Sequence, residues 1–324
     1  KDEGFRVLYD AHRPGSSIKG ATVLAGYESG VIDIGTIFYD APMKIKGTPE
    51  KSSYQTLGNV NDITALSKSS NVYMYYIALR MGGEYNYVRN KEVSFNPDSF
   101  RQMRNYFKQF GLGTETGIDL PFESTGYKGN VAKPGLLMDY AIGQYDTFTT
   151  LQLVQYVSTI ANDGYRIRPH LVKEIRHSIS EGEPSSIHKI ITPEVINKID
   201  MGQAHINRVK EGFRRVFQHR DGTADHIFRN KPYKPAGKTG TAENEIYEER
   251  NGKIEKVADV ENLTLVGYAP YDNPEIAFSV IVPNVGLDAG ESVSNVIGER
   301  ILDAYFQLKK ERQQHGLTTA NTTE

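Results

Sequence analysis

The chain has no cysteine among its 324 residues, which excludes disulfides, thiolate nucleophiles and cysteine-based zinc sites together. No apolar run approaches the roughly 20 residues of a membrane span, and no signal peptide opens the chain. Charge of one sign is scarce too. The formal net charge is −2, without the basic balance of a dedicated nucleic-acid binder. The eight histidines show no close ligand spacing, so neither a metal nor another cofactor is expected. With 38% hydrophobic residues, the chain can bury one large core, which favours one sizeable domain with insertions.

What is present is a set of three short motifs in one order. Ser16-Ser17-Ile18-Lys19 lies within Pro14-Gly15-Ser16-Ser17-Ile18-Lys19-Gly20, Ser69-Ser70-Asn71 follows, and Lys238-Thr239-Gly240-Thr241 comes near the C-terminal end. On a helix, positions three apart share a face, so the Lys19 amine can approach the Ser16 hydroxyl. A hydroxyl becomes a nucleophile when its proton is removed, and a lysine driven to a low pKa by burial can take it. Taken alone, the same residues read equally as a helix N-cap and a solvated lysine. Lys238 opens a predicted strand, where Gly240 lets another chain come close. The Thr239 and Thr241 hydroxyls beside the Lys238 charge suit a terminal carboxylate. Asn71 offers a donor and an acceptor, enough for a substrate amide and a lysine together. The bland alternatives are a strand end and N-cap chemistry; only the ordered set is specific.

The periodicity predicts helices over Ser16–Ser29, Asn61–Leu66, Val72–Met81, Phe100–Phe110, Thr147–Asn162 and Ser294–Arg312. Lys1–Arg13 shows no clear strand pair, residues 30–60 look like a surface excursion, and Gly82–Ser99 reads as an insertion loop. Pro235–Thr241, Leu263–Ala269 and Glu275–Pro283 read as strands. In the last of these both alternating sets are mostly apolar, so helices should cover the sheet on two sides. The charged stretch 243–262 is expected to be a solvated loop or hairpin tip, Glu194–Asn197 part of a surface helix, and the tail from residue 313 loose. Tyr73, Tyr75 and Tyr76 fit helix packing better than substrate stacking.

The three motifs together resemble the penicillin-recognising serine enzymes, and longer segments resemble the transpeptidase domain of class B penicillin-binding proteins. These are Arg13–Lys19, Gly111-Leu112-Gly113 with Thr116–Pro121, Ala141–Gln144 with Thr149–Leu153, Lys238–Glu243 and Val266–Pro270, and the resemblance runs from about Phe5 to Tyr305. It implies an α/β (α+β) fold of the penicilloyl serine transferase type, shared with β-lactamases: an antiparallel sheet covered by helices on both faces, with an all-α subdomain. The transpeptidase domain would span 1–312, with most of the helical subdomain from 21–234, the C-terminal strands and closing helix from 235–312, and a flexible tail at 313–324. The resemblance makes Ser16 the acylated nucleophile and Lys19 its base, with Ser69 and Lys238 relaying a proton to the departing D-alanine. Asn71, Thr239, Gly240 and Thr241 would bind substrate, and backbone N–H groups of Ser16 and Thr241 would form the oxyanion hole.

The implied substrate is a peptidoglycan stem peptide ending in D-Ala-D-Ala, with β-lactams as covalent inhibitors and a membrane glycosyltransferase of the FtsW or RodA type as a partner. The implied location is the extracytoplasmic face of the bacterial membrane, with an N-terminal anchor outside this chain. Two departures stand out. Family domains usually carry further strands and a helix upstream of the first motif, which points to a fragment, and Tyr145 stands where the family often has glycine, which predicts a bulkier or shifted loop. The rivals are a β-lactamase, disfavoured because no Glu-x-x-Leu-Asn segment lies between Asn71 and Lys238, a β-lactam sensor, and a D,D-carboxypeptidase with water as acceptor.

Overall fold

In the computed structural model the residues described are 3–178, 186–250, 252–287 and 293–314. Helix α1 (Arg6–Tyr9) and strand β1 (Ala11–His12) lead to Pro14, after which a 3-10 turn over Gly15–Ile18 feeds α2 (Lys19–Glu28). Strands β2 (Phe38–Asp40) and β3 (Gly58–Val60) form a small antiparallel pair. Helix α3 (Asp62–Ser67) starts where the Asn61 side chain accepts from the Thr64 N–H. Helix α4 (Asn71–Met81) is capped likewise by Ser70, and α5 (Asp98–Gln109) and α6 (Pro134–Ala141) follow. Strand β4 (Phe148–Thr149) pairs with β1 and runs into α7 (Thr150–Ala161), whose first turn is a reciprocal Thr149–Gln152 capping box. Two small sheets, β5 (Tyr165–Ile167) with β8 (Val195–Lys198) and β6 (Glu174–Arg176) with β7 (Ile187–Ile190), precede α8 (Gln203–Gln218) and α9 (Asp225–Phe228). The chain then forms β9 (Ala236–Arg250), β10 (Lys253–Ala269), β11 (Ile276–Gly286) and α10 (Val293–Gln314).

The main sheet is antiparallel with the order β11-β10-β9. Its register places Lys238, Val266 and Ser279 on one pleat and Thr239, Leu265 and Val280 on the other. The first face joins the larger core around α2, α4 and α7, where the Ser279 hydroxyl donates to the Thr150 carbonyl at 2.7 Å. On the second, Leu265, Phe278 and Val280 pack with Phe217, Phe228 and Leu302. The sheet is therefore covered on both sides, as the doubly apolar strand requires.

Several elements differ from the sequence expectation. The helix expected from Ser16 divides, because its first turn tightens to 3-10 before α2 begins. Residues 243–250 and 253–262 are paired strand, with the ladder of this ribbon continuing out to Arg250↔Lys253. Both faces of that ribbon are wet at its tip, so no apolar alternation marks it, while the Lys256–Glu245 ion pair spans it. Glu194–Asn197 leads into strand β8, with Glu194 held by Arg168. The N-terminal run does carry a strand, β1, and the 30–60 excursion buries Val31, Ile32, Phe38, Met43 and Ile45. Helices α1, α6, α8 and α9 lie outside the helices that the periodicity predicts. The Tyr145 hydroxyl donates to the Val131 carbonyl and its ring lies against Gly129. Residues 315–324 of the expected tail lie outside the described residues.

One buried ion pair ties three helices together. Arg208 of α8 donates two hydrogen bonds of 2.6 Å to Asp62 at the start of α3, and Tyr27 of α2 donates a third. Burial pushes the Asp62 carboxyl up, but the Arg208 and Tyr27 hydrogen bonds outweigh it and leave it below the usual carboxylate range. A depressed carboxyl stabilises the fold above its unfolded pKa and loses that contribution as pH falls through the folded value. Arg208→Ala is expected to cost about 3 kcal/mol at neutral pH, by stranding a buried carboxylate. The melting-temperature gap from wild type should narrow as pH falls below about 4, near the ordinary carboxyl range; a pH-independent gap would show that the pair contributes only packing.

Candidate active site

The turn carrying Ser16 is shaped by its neighbours. Gly15 sits at φ +54, and a Cβ there would lie 2.2 Å from the Thr241 carbonyl oxygen, so only glycine lets β9 press against this turn. Its N–H donates to the Gly143 carbonyl at 3.0 Å, which gives the Ile142-Gly143-Gln144 segment a structural task. From the other side, a Cβ on Gly240 would meet the Pro14 carbonyl oxygen at 2.6 Å and the Ser17 nitrogen at 2.7 Å. The Thr264 hydroxyl of β10 donates to the same Pro14 carbonyl at 2.6 Å. Strand β9 and the serine turn are thus in backbone contact, and Ser16 lines the cleft beside them, half-buried.

Behind Ser16 the three motifs converge on one hydroxyl. Ser69 is held at φ +56, uncommon for a residue with a side chain, at the break between α3 and α4. Lys19 Nζ lies 2.8 Å from the Ser69 carbonyl oxygen, 2.6 Å from Asn71 Oδ1 and 3.3 Å from Ser69 Oγ. Lys238 Nζ lies 2.9 Å from the same Ser69 Oγ and donates to the Thr239 carbonyl at 2.9 Å. Both lysines are fully buried. Burial pushes the Lys19 amine well below the ordinary lysine range, the Lys238 charge pushes it further, and the Asp40 charge offsets part of this. Burial alone brings Lys238 down to about 7.

Two ammonium groups this close in a dry site repel, so the pair favours sharing charge. A neutral Lys19 can donate its two N–H groups to Ser69 O and Asn71 Oδ1, which leaves its lone pair free to accept a proton. Ser69 Oγ, within reach of both nitrogens, can pass a proton between them. The arrangement therefore supplies a base, a relay and an acid close to neutral pH.

The cleft has a volume of about 1210 Å³, and Ser16, Ser69, Asn71, Thr239, Gly240 and Thr241 all line it. Thr239 and Thr241 lie on the opposite pleat from Lys238 and reach the cleft because β9 is the sheet edge. The Thr239 hydroxyl shares a 2.8 Å hydrogen bond with that of Thr223. Tyr73 and Tyr75 are buried in the core, with Tyr75 also touching the cleft wall. Sequence reasoning missed Lys51 and Asp139, an ion pair of 2.6 Å on that wall, and Asp40 and Ser53, which sit beneath Ser70 of the second motif. None sits in a recognisable spacing, so no sequence signal marks them. Among the described residues no group of side chains is arranged to hold a metal.

Comparison with known proteins follows the same lines. The penicillin binding protein transpeptidase domain family matches residues 5–303. Penicillin-binding protein 2A of Bacillus subtilis is 45% identical over 99% of this chain and 44% of its own length. Penicillin-binding protein 2B of Streptococcus pneumoniae is 34% identical over 90% of this chain and 43% of its own length. The chain thus spans less than half of these curated relatives. Among solved structures, penicillin-binding protein 2B from Streptococcus pneumoniae strain R6 superimposes with a TM-score of 0.86 at 30% identity, covering 94% of this chain and 49% of that one. Penicillin-binding protein 2 of Pseudomonas aeruginosa, in complex with WCK 5153, gives 0.70 at 26% identity, covering 93% and 62%.

The contact between strand and turn can be tested directly. Gly240→Ala is expected to slow covalent modification of Ser16 by an electrophilic β-lactam about tenfold or more, since displaced backbone donors typically cost that much. Wild-type rates in a folded Gly240→Ala protein would show that the close approach does not set the site.

Proposed function

The chain belongs to the penicillin-binding protein transpeptidase family, and from that premise we propose that it forms the acyl-transfer domain of a peptidoglycan D,D-transpeptidase. Its mixed helix-and-strand fold is of the penicilloyl serine transferase type. The donor is a stem peptide ending in D-Ala-D-Ala. Ser16 Oγ attacks the carbonyl between the two D-alanines as its proton passes to the Lys19 amine. The N–H groups of Ser16 and Thr241 face the developing oxyanion, a reading supported by the contact of their backbones at Gly15. Each such donor contributes on the order of 3 kcal/mol. When the C–N bond breaks, the leaving D-Ala nitrogen takes a proton delivered through Ser69 from the lysine pair. An acceptor amine then attacks the ester, loses its proton by the same route, and returns Ser16 to its hydroxyl form. Asn71 holds the acyl-side amide, and Thr239 and Thr241 hold the terminal carboxylate, on the strand that Gly240 keeps against the serine turn.

The observation that carries this reading is the meeting of two buried lysines on Ser69 Oγ behind Ser16. A β-lactam acylates Ser16 in the same way, but its leaving nitrogen stays tethered, and hydrolysis of the ester needs a base that activates water. The segment Glu194–Asn197, which has the Glu and Asn of a Glu-x-x-Leu-Asn motif but lacks its Leu, runs into β8, where the Glu194 carboxylate is taken by Arg168. That favours slow hydrolysis, and so a transferase over a β-lactamase. The proposed location is the extracytoplasmic face of the bacterial membrane, beside a glycosyltransferase of the FtsW or RodA type, with an anchor in sequence outside this chain. No helix among the described residues is long and apolar enough to cross a membrane.

Intact-mass spectrometry after incubation with a penicillin tests the reading. The expected result is a single adduct of one drug mass that persists for hours, is absent in Ser16→Ala, and forms more slowly when a D-Ala-D-Ala peptide competes. Rapid loss of the adduct with drug turnover would replace the transferase by a hydrolase, and no adduct on a folded chain would sink Ser16 as the nucleophile.

A further inference from the structure

Asp40 is a buried acid that the acyl-transfer chemistry leaves without a task. It ends β2, is 1% exposed, and its Oδ1 has no hydrogen-bond partner among the described residues. Its Oδ2 accepts from the Ser53 hydroxyl at 2.6 Å and the Ser70 hydroxyl at 2.5 Å. With their protons committed to one carboxylate, both hydroxyls turn lone pairs toward the first turn of α4. Ser53 Oγ accepts from the Asn71 N–H at 2.9 Å and the Val72 N–H at 3.3 Å, and Ser70 Oγ accepts from the Tyr73 N–H at 3.0 Å. The Asn71 amide also donates to the Ser52 carbonyl at 3.0 Å, which leaves its oxygen for Lys19. The carboxylate thus sits under the positive end of α4 and braces the strained Ser69 backbone from below.

We propose that Asp40 is a positioning residue for acyl transfer: through Ser53 and Ser70 it fixes how Ser69 and Asn71 are presented to Lys19 and Lys238. This rests on the Ser16 chemistry proposed above. Serine alone suffices to cap a helix, whereas a buried carboxylate with a vacant oxygen is costly to keep, so a capping role does not account for it. Its charge also acts on the lysines. The charged groups facing Lys19 are Lys238 from β9 and Asp40 from β2. Tyr75 on α4 faces Asp139, Glu243 and Asp40 in turn, and Asp139 is neutralised by Lys51. Of these, Asp40 is the group that favours the protonated Lys19.

The test is stopped-flow acylation of the whole chain by a fluorescent penicillin, with the chemical rate k2 separated from the binding constant K and both normalised to final adduct per protein. Asp40→Ala is expected to lower k2 about tenfold or more, the consequence of stranding two hydroxyls, with a smaller change in K that reflects Asn71 alone, because Asp40 does not touch the drug. Asp40→Asn, whose Oδ1 still accepts, should fall between, and its acid limb of k2 against pH should move to lower pH as Lys19 loses its counter-charge. A role confined to fold stability would lower the melting temperature and leave k2 of the folded fraction at wild type. Wild-type k2 in Asp40→Ala, or a loss confined to K, overturns the proposal. If Asp40→Ala does not fold, Ser53→Ala takes its place, with a fall in k2 expected and an unchanged k2 decisive against. Absence of any adduct on wild type would remove the Ser16 reading itself, an outcome distinct from an Asp40 variant that behaves as wild type.

Discussion

The structure depends on keeping two lysine amines out of water within reach of one serine hydroxyl. Lys19 and Lys238 are both fully buried, and neither has a carboxylate in hydrogen-bond contact. A dry ammonium without a paired anion is unfavourable, so the site lowers the pKa of its bases instead of neutralising them with acids. Lys238 at about 7 can give or take a proton at neutral pH, and burial together with that neighbour's charge holds Lys19 well below the ordinary lysine range as well. A pair poised in this way can take a proton from one side of a reaction and return it at the other.

The rest of the fold reads as the scaffold that such a pair needs. Lys238 comes from the edge strand of a sheet buried on both faces, Lys19 from the first residue of a helix inside the larger core, and Ser69 from a break between two capped helices. Three separate parts of the chain meet, and each junction is short. Gly15 and Gly240 let strand and turn approach to backbone contact, Pro14 accepts from Thr264, and Asp62 with Arg208 ties α3 to α8.

Much of this was legible in the sequence because the motif residues have little freedom. The order of Ser16–Lys19, Ser69–Asn71 and Lys238–Thr241 named the residues that the fold brings together, and the doubly apolar pattern of 276–282 implied helices on both faces of the sheet. Other parts were not legible, for physical reasons. The outer part of the ribbon, residues 247–250 and 253–256, is exposed on both faces, so it lacks the period-two signal by which strands are recognised. Strand β8 is only four residues long and has no buried residue, too short to distinguish from a helix end. Asp40 and Ser53 act through tertiary hydrogen bonds to α4 from a segment whose local pattern resembles surface loop, and nothing in their spacing announces it.

The most direct test of the central claim is a pH titration of the lysine ε-carbons by NMR in protein labelled with ε-13C-lysine, with the neutral replacements Lys19→Gln and Lys238→Gln used for assignment. Two resonances should titrate well below the other lysines, one of them with a midpoint near 7, and removing either lysine should raise or simplify the titration of its partner. If every lysine carbon titrates in the ordinary range above about 10, the buried pair is not the source of the site's chemistry.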